Sequence, residues 1–355
     1  MTTARGVNAT HRSRPDEHQR DNGDKREKAI MATTAMIETH GLSKTFQARG
    51  KSVEAVRGVD LEVRAGEIFG FLGPNGAGKT TTMRMLSTLI VPSGGQAKVA
   101  GYDLRRNPAA VRNHIGYVSQ QGGAEPVETG RENLVLQGRV YGMSHRDANQ
   151  RAKDLISRLD MDAFADRLVR TYSGGQRRRL DVALGIMHRP QLLFLDEPTT
   201  GLDPQSRVRI WDEVRRLHDD GMTIFLTTHY MDEADGLCDR LAIMDNGSIV
   251  SVDTPTALKQ RIAGDIISLG LDVQNGAVAR VSETLQAQPY VRELQQTKDG
   301  LLLYVERGEE VLPEVLRLLD HQGVPIRTVT LARPTLEDVF LRLTGRSLRE
   351  SVENA

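Results

Sequence analysis

The chain has 355 residues, 39% of them apolar, enough for two or three compact units with their own cores. Lysine plus arginine and aspartate plus glutamate each number 47, which excludes a global basic field of the kind that draws proteins onto nucleic acid. The single cysteine, Cys238, excludes an intramolecular disulfide framework and reads as a small buried hydrophobe, in keeping with a reducing compartment.

Residues 1–35 mix Arg5, Arg12, Asp16, Glu17, Asp24 and Lys25 with almost no large apolar side chain, and read as a disordered extension, with Met31 or Met36 as alternative starts. They hold no apolar signal-peptide core. From residue 36, short strands give way to strands alternating with helices, the pattern of a largely parallel sheet covered by helices. Strands are predicted at 68–72, 115–119, 192–196, 224–227 and 241–244, and none of these apolar runs approaches the length of a membrane span. Between the second and third, only helical patterns occur, which places an inserted helical subdomain at about 122–187. Residues 204–218 read as an amphipathic helix with Val208, Trp211, Val214 and Leu217 on its buried face.

Asp245-Asn246-Gly247 is a tight-turn signal for a hairpin near the end of this first unit, 36–262. The second unit, 263–345, has predicted strands at 266–273, 291–296, 301–305 and 326–331 and helices at 277–287 and 310–322. Strand-helix-strand twice over points to a small ferredoxin-like α+β domain, followed by a tail at 346–355.

The chemistry concentrates in the first unit. Gly73-Pro74-Asn75-Gly76-Ala77-Gly78-Lys79-Thr80 sits between a predicted strand and a predicted helix, with the glycine, lysine and hydroxyl spacing of a phosphate-binding loop. Inward-pointing backbone N–H groups and the helix dipole attract phosphate oxygens, Lys79 can bridge the β- and γ-phosphates, and Thr80 can ligate Mg²⁺. The strand at 192–196 ends in two carboxylates: Asp196 suits a magnesium shell, and Glu197 can orient or deprotonate a water. Asp232, Glu233 and Asp235 read as a solvated acidic helix start, and Arg177, Arg178 and Arg179 as an exposed helix face.

In kind and order, the motifs of residues 36–262 resemble the nucleotide-binding subunit of an ATP-binding cassette (ABC) transporter. The resemblance implies an α/β fold: a P-loop NTPase with a RecA-like core, an antiparallel β subdomain and the inserted helical subdomain. It implies that Gln120 contacts Mg²⁺ and the transport-domain interface, that Tyr172-Ser173-Gly174-Gly175-Gln176 is the family signature, and that His229 senses the γ-phosphate. It likewise makes Asp203, in Gly201-Leu202-Asp203, part of a dimer-contact loop, and Phe46 the aromatic that stacks on adenine. ATP is then held by Phe46, by the run from Gly73 through Thr80 to Thr81, by Ser173 to Gln176 and by Asp203. Lys79, Gln120, Glu197 and His229 are the implied catalytic groups, and Thr80, Gln120 and Asp196 the implied Mg²⁺ ligands. With one cassette per chain, the resemblance implies a homodimer in which each ATP lies between one chain's phosphate loop and the other's signature.

Arg333-Pro334-Thr335-Leu336-Glu337-Asp338-Val339-Phe340-Leu341, followed by Leu343-Thr344-Gly345, is similar to the C-terminal tail of the daunorubicin-resistance type of exporter ATPases. That implies export of a drug, antibiotic or hydrophobic metabolite through a separate ABC-2 type membrane permease subunit. The chain is then peripheral at the cytoplasmic face of the cell membrane, with no covalent membrane anchor and no nucleic acid partner. The stretch between Gly73 and Ser173 leaves room for a helical subdomain but not for the long coiled coil of cassette ATPases that act on DNA or ribosomes.

Overall fold

A computed structural model describes residues 35–48, 50–262, 264–271, 277–297 and 300–345. The extension before residue 35 and the tail at 346–355 lie outside the described residues. In chain order the first unit opens with β1 (Ala35–Ala48), β2 (Lys51–Arg64), β3 (Ile68–Leu72), α1 (Lys79–Leu86), β4 (Gly94–Val99), β5 (Tyr102–Asp103), α2 (Pro108–His114) and β6 (Ile115–Val118). Three helices follow: α3 (Gly130–Val140), α4 (His145–Arg158) and α5 (Gly174–Gly185). The chain then returns through β7 (Leu192–Asp196), α6 (Pro204–Asp219), β8 (Thr223–Thr228), α7 (Met231–Leu237), β9 (Arg240–Asp245), β10 (Ser248–Asp253) and α8 (Pro255–Ile262).

One sheet, ordered β10-β9-β3-β8-β7-β6, is parallel except for its β9–β10 edge. The hairpin at that edge turns through Asn246 and Gly247, both at positive φ (47° and 81°), as a two-residue turn compatible with strand twist demands. A second sheet, β2-β1-β4-β5, is antiparallel throughout.

Alternation along the parallel strands feeds two cores at once. Ile68, Leu72, Leu193, Leu195, Ile224 and Leu226 join the helical side, while Phe69, Phe71, Phe194 and Phe225 join the side under the antiparallel sheet. There Phe69 stacks on Phe225 at 5.7 Å, and Phe71 meets Phe225 edge-on at 4.9 Å. Each fully buried ring or branched side chain stabilises the fold by about 1.5–3 kcal/mol. Cys238 lies among these residues, and a Cβ on Gly70 would sit 2.5 Å from its sulfur. Burial pushes its thiol well up, with Glu233 and Asp239 adding to the effect, as an inert packing residue requires.

Helix α6 buries Ile210, Val214 and Leu217, half-buries Trp211 and leaves Val208 exposed. The predicted face, built on steps of three, falls about 60° short of a full turn at each step, so Val208 has rotated away from Leu217.

The second unit contains β11 (Asp265–Leu271), α9 (Ala277–Gln286), β12 (Val291–Thr297), β13 (Gly300–Val305), α10 (Gly308–His321) and β14 (Ile326–Ala332). Its sheet, β12-β13-β11-β14, is antiparallel at every pairing, which is the ferredoxin-like order. Val281 and Leu285 of α9 and Val311, Val315 and Leu319 of α10 close its core over Ile267, Leu269, Leu301 and Leu303.

The last helix, α11 (Leu336–Thr344), starts on a capping box between Thr335 and Asp338. It follows the second unit in sequence but places its apolar face in the first. Leu336, Val339 and Phe340 are fully buried in the same cluster as Ala234 and Leu237 of α7 and Leu258 of α8. Among the described residues, no helix is long and apolar enough to cross a membrane.

Candidate nucleotide site at the carboxyl edge of the parallel sheet

Strand β3 delivers the chain into the glycine loop at the carboxyl edge of the sheet, where open α/β folds bind ligands. Close backbone approach makes two of the glycines necessary. A Cβ on Gly73 would lie 2.2 Å from the Met244 carbonyl oxygen, and one on Gly78, at φ 102°, 2.6 Å from that of Ala55. Lys79 opens α1 and folds its ammonium back into the loop, donating to the carbonyls of Gly73 (2.6 Å) and Pro74 (3.0 Å). Burial lowers the Lys79 pKa to about 8, against the opposing pull of Glu197 and Asp196.

Thr80, next in α1, donates from Oγ1 to Asp196 Oδ1 at 2.9 Å, and Thr227 Oγ1 donates to the same oxygen at 2.7 Å. Glu197 follows with φ 46°, a left-handed conformation that costs a side-chain-bearing residue about 1–3 kcal/mol. Its backbone N–H is held by the carbonyl and the hydroxyl of Thr227, each at 3.1 Å.

The Glu197 carboxylate meets four groups. Gln120 Nε2 and Thr200 Oγ1 each donate to Oε2 at 3.1 Å, His229 Nδ1 stands 3.3 Å from Oε1 in ion-pair range, and Lys79 Nζ is 4.0 Å from Oε1. Burial works against its charge, but His229, Lys79 and Thr200 outweigh burial and hold its pKa below the ordinary carboxylate value. An ionised, partly shielded carboxylate beside a buried ammonium can orient a water and accept its proton.

Lys79, Thr80, Gln120, Asp196, Glu197 and His229 thus converge, although they come from distant parts of the sequence. Thr227 and Thr200 were not singled out from the sequence. Thr200 could have been found from its spacing to Glu197, whereas Thr227 reaches Asp196 only because β7 and β8 pair in parallel with those two residues opposite each other.

Ser173 caps α5 through a capping box: Gln176 N donates to Ser173 Oγ at 3.3 Å, and Ser173 N to Gln176 Oε1 at 3.0 Å. Tyr172 anchors this loop in the helical subdomain. Its hydroxyl donates to the Phe164 carbonyl at 2.8 Å, and its ring meets that of Phe164 edge-on at 5.0 Å. Ser173, Gly175 and Gln176 line a small recess of about 80 Å³ with Arg179, Ser206 and Arg209, apart from the Lys79 cluster. Gly174 is exposed beside them. Asp203 caps α6, accepting from Ser206 N at 2.9 Å and Ser206 Oγ at 2.6 Å. Phe46, opposite Val53 in β1–β2, presents its ring 41% exposed with the Lys44 ammonium 5.0 Å from its centroid.

Two polar groups depart from their sequence reading. Arg178 is buried, not part of an exposed face, and donates to the carbonyls of Ser119 (2.6 Å), Pro198 (2.7 Å) and Asp196 (3.1 Å). Glu233 is fully buried, not solvated, and its Oε1 accepts from Thr199 Oγ1 at 2.8 Å and Trp211 Nε1 at 3.1 Å. In both cases the inward helix face meets polar groups that need partners, and a charged or polar side chain satisfies them there.

Residues 56–200 match the ABC transporter family, and residues 254–344 match the family described as ATP-binding protein DrrA1-3-like, C-terminal domain. The chain is 43% identical over 331 residues to the daunorubicin/doxorubicin resistance ATP-binding protein DrrA of Streptomyces peucetius, covering 90% of this chain and 97% of that one. It is 36% identical over 318 residues to the linearmycin resistance ATP-binding protein LnrL of Bacillus subtilis, covering 89% and 100%. A dimeric structure of a bacterial ABC transporter cassette matches with a TM-score of 0.57 at 25% identity, covering 62% of this chain and 98% of that one. Phosphate loop, paired carboxylates, capped signature helix and DrrA-like C-terminal domain therefore place the chain in the ABC transporter family, as an ATP-binding, ATP-hydrolysing subunit.

Proposed function

We propose that the chain works as a homodimer that hydrolyses ATP to drive export of a drug, antibiotic or hydrophobic metabolite through a separate ABC-2 type permease, peripheral to the cytoplasmic face of the membrane. The observation that carries the dimer is the separation, within one chain, of the Lys79 cluster from the recess lined by Ser173, Gly175 and Gln176. A signature loop whose recess shares no lining residue with the Lys79 cluster is free to serve a second copy's ATP. The names of the drug-resistance relatives support the substrate class. We divide the chain into a cassette at 36–262, with a helical subdomain at about 122–187, and an accessory domain at 263–345 whose last helix docks back on the cassette.

In this reading Gly73 to Thr81 cradle the phosphates, and Lys79 exchanges the loop carbonyls for β- and γ-phosphate oxygens. Phe46 stacks on adenine, while Ser173 to Gln176 and Asp203 complete the partner's site. Thr80, Asp196 and Gln120 form a hard oxygen set that suits Mg²⁺, which binds through one or two carboxylates plus phosphates. Bound there, Mg²⁺ neutralises charge on the transferring phosphoryl group. Glu197 accepts a proton from the water that attacks the γ-phosphorus, His229 and Gln120 hold that water and carboxylate in line, and the bond to the β,γ-bridging oxygen breaks.

Everted vesicles carrying the chain and an ABC-2 type permease expressed with it should accumulate doxorubicin only when supplied with ATP. Glu197→Gln should keep nucleotide binding and lose accumulation. Hydrolysis that continues at the normal rate in Glu197→Gln removes that carboxylate from its role, and full ATPase activity without drug accumulation overturns the export reading.

A further inference from the structure

Arg178 has no part in the mechanism above. It lies in the second turn of α5, beyond the Ser173 cap, and is 6% exposed. Its three donor bonds leave the helix and reach the two segments that carry the hydrolytic groups. Ser119, whose carbonyl accepts from Nη1 at 2.6 Å, immediately precedes Gln120. Asp196 and Pro198, whose carbonyls accept from Nη2 at 3.1 Å and Nε at 2.7 Å, stand on either side of Glu197. The left-handed turn at Glu197 is therefore bracketed by one side chain of the helix that begins at Ser173.

A neighbouring residue of α5 adds a second strut. Gly123 N donates to Asp181 Oδ1 at 3.0 Å, and a Cβ on Gly122 would lie 2.6 Å from the other carboxylate oxygen. The chemistry suits the task. A guanidinium is a rigid, permanently charged fork of donors that can serve carbonyls in three directions, whereas a lysine has a single nitrogen.

We propose that Arg178 is a positioning residue that ties the Glu197 turn and the Gln120 segment to the signature helix, so that docking of the partner's ATP on Ser173 and the placement of this chain's own water-orienting carboxylate change together. The proposal rests on the shared-site reading above. It gives each ATP a mechanical route to the hydrolytic groups of the other site, through one helix turn and one side chain.

The test compares the full-length protein with Arg178→Lys and Arg178→Gln, measuring ATP affinity, the ATP dependence of hydrolysis and the melting temperature. Affinity should stay within about twofold, because the Lys79 loop is untouched, while kcat falls about tenfold or more, in line with lost bonds from a charged donor. The Hill coefficient for ATP should fall from near the two-site limit of about 2 towards 1, with Arg178→Lys intermediate. A purely structural role predicts a different pattern: activity lost in proportion to unfolded protein, with the Hill coefficient unchanged. That pattern overturns the proposal, as does a normal kcat in Arg178→Lys. If Arg178→Gln binds no ATP, Arg178→Lys decides, and failure of both to bind ATP also counts against a positioning role. Ser173→Arg is the separate control: hydrolysis that survives it overturns the shared-site reading itself, whereas its loss alongside an unaltered Arg178→Lys overturns only the positioning role.

Discussion

Lys79 holds its charge where burial opposes it, and two carboxylates only partly compensate. With its folded pKa near 8 and its ordinary value at 10.5, the unfolded chain keeps a proton between those limits that the folded chain has released. The contribution of this group to the stability of the nucleotide-free protein therefore rises with pH across that window and is flat below it. In the proposed ATP-bound state, phosphate oxygens would add anionic partners to the ammonium and raise its pKa again. ATP binding should take up close to one proton per site near pH 9 and almost none at pH 6.5, as read by calorimetry in buffers of different ionisation enthalpy. Proton uptake that is the same at both pH values would show that Lys79 does not change its environment on binding. The positions of Lys79, Thr80, Asp196 and Glu197 were legible because each belongs to a short contiguous motif. Thr227 was not, because nothing local marks a threonine as the strand neighbour of an aspartate thirty-one residues away. Arg178 and Glu233 were misread for a related reason: a charged side chain in a helix is exposed by default, and only the packing of that helix turns it inward.

At the scale of elements, capping decides where the signature helix begins. Ser173 and Gln176 satisfy each other's backbone groups, and Tyr172, the residue before the cap, is pinned to Phe164. The tyrosine thus has a structural task that the motif alone did not reveal. The closing helix α11 was legible as a motif, but not its location. Its apolar residues Leu336, Val339 and Phe340 follow helical spacing, which specifies a buried face without naming the surface that covers it. The cover is α7 and α8, and α7 begins two residues after His229. Phe340→Ala should lower the unfolding free energy of the cassette by about 3–5 kcal/mol in urea titrations followed by ATP-binding competence. Leu341→Ala, at a residue 47% exposed on the other side of the same helix, should change it by less than about 1 kcal/mol. Equal effects would place the helix elsewhere.

At the scale of the whole molecule, the proposed unit of function is the pair. Chains carrying Lys79→Ala keep an intact signature, and chains carrying Ser173→Arg keep an intact phosphate loop. Neither should form an ATP-bound dimer alone, while a mixture of the two should form mixed dimers that hold ATP at their one complete site, read by size-exclusion chromatography with labelled ATP. A mixture as monomeric as its components would argue that each chain assembles its site unaided. By itself, the sequence determined the kind of chemistry, the order of elements and the ferredoxin-like pattern of the second unit, because phosphate loops, strand alternation and turn residues act over a few neighbours. Only the tertiary structure decided that Thr227 completes the Asp196 site, that Arg178 brackets Glu197 and that the last helix belongs to the cassette core. Those contacts join residues through sheet pairing and helix packing, and no local spacing records which buried surfaces meet.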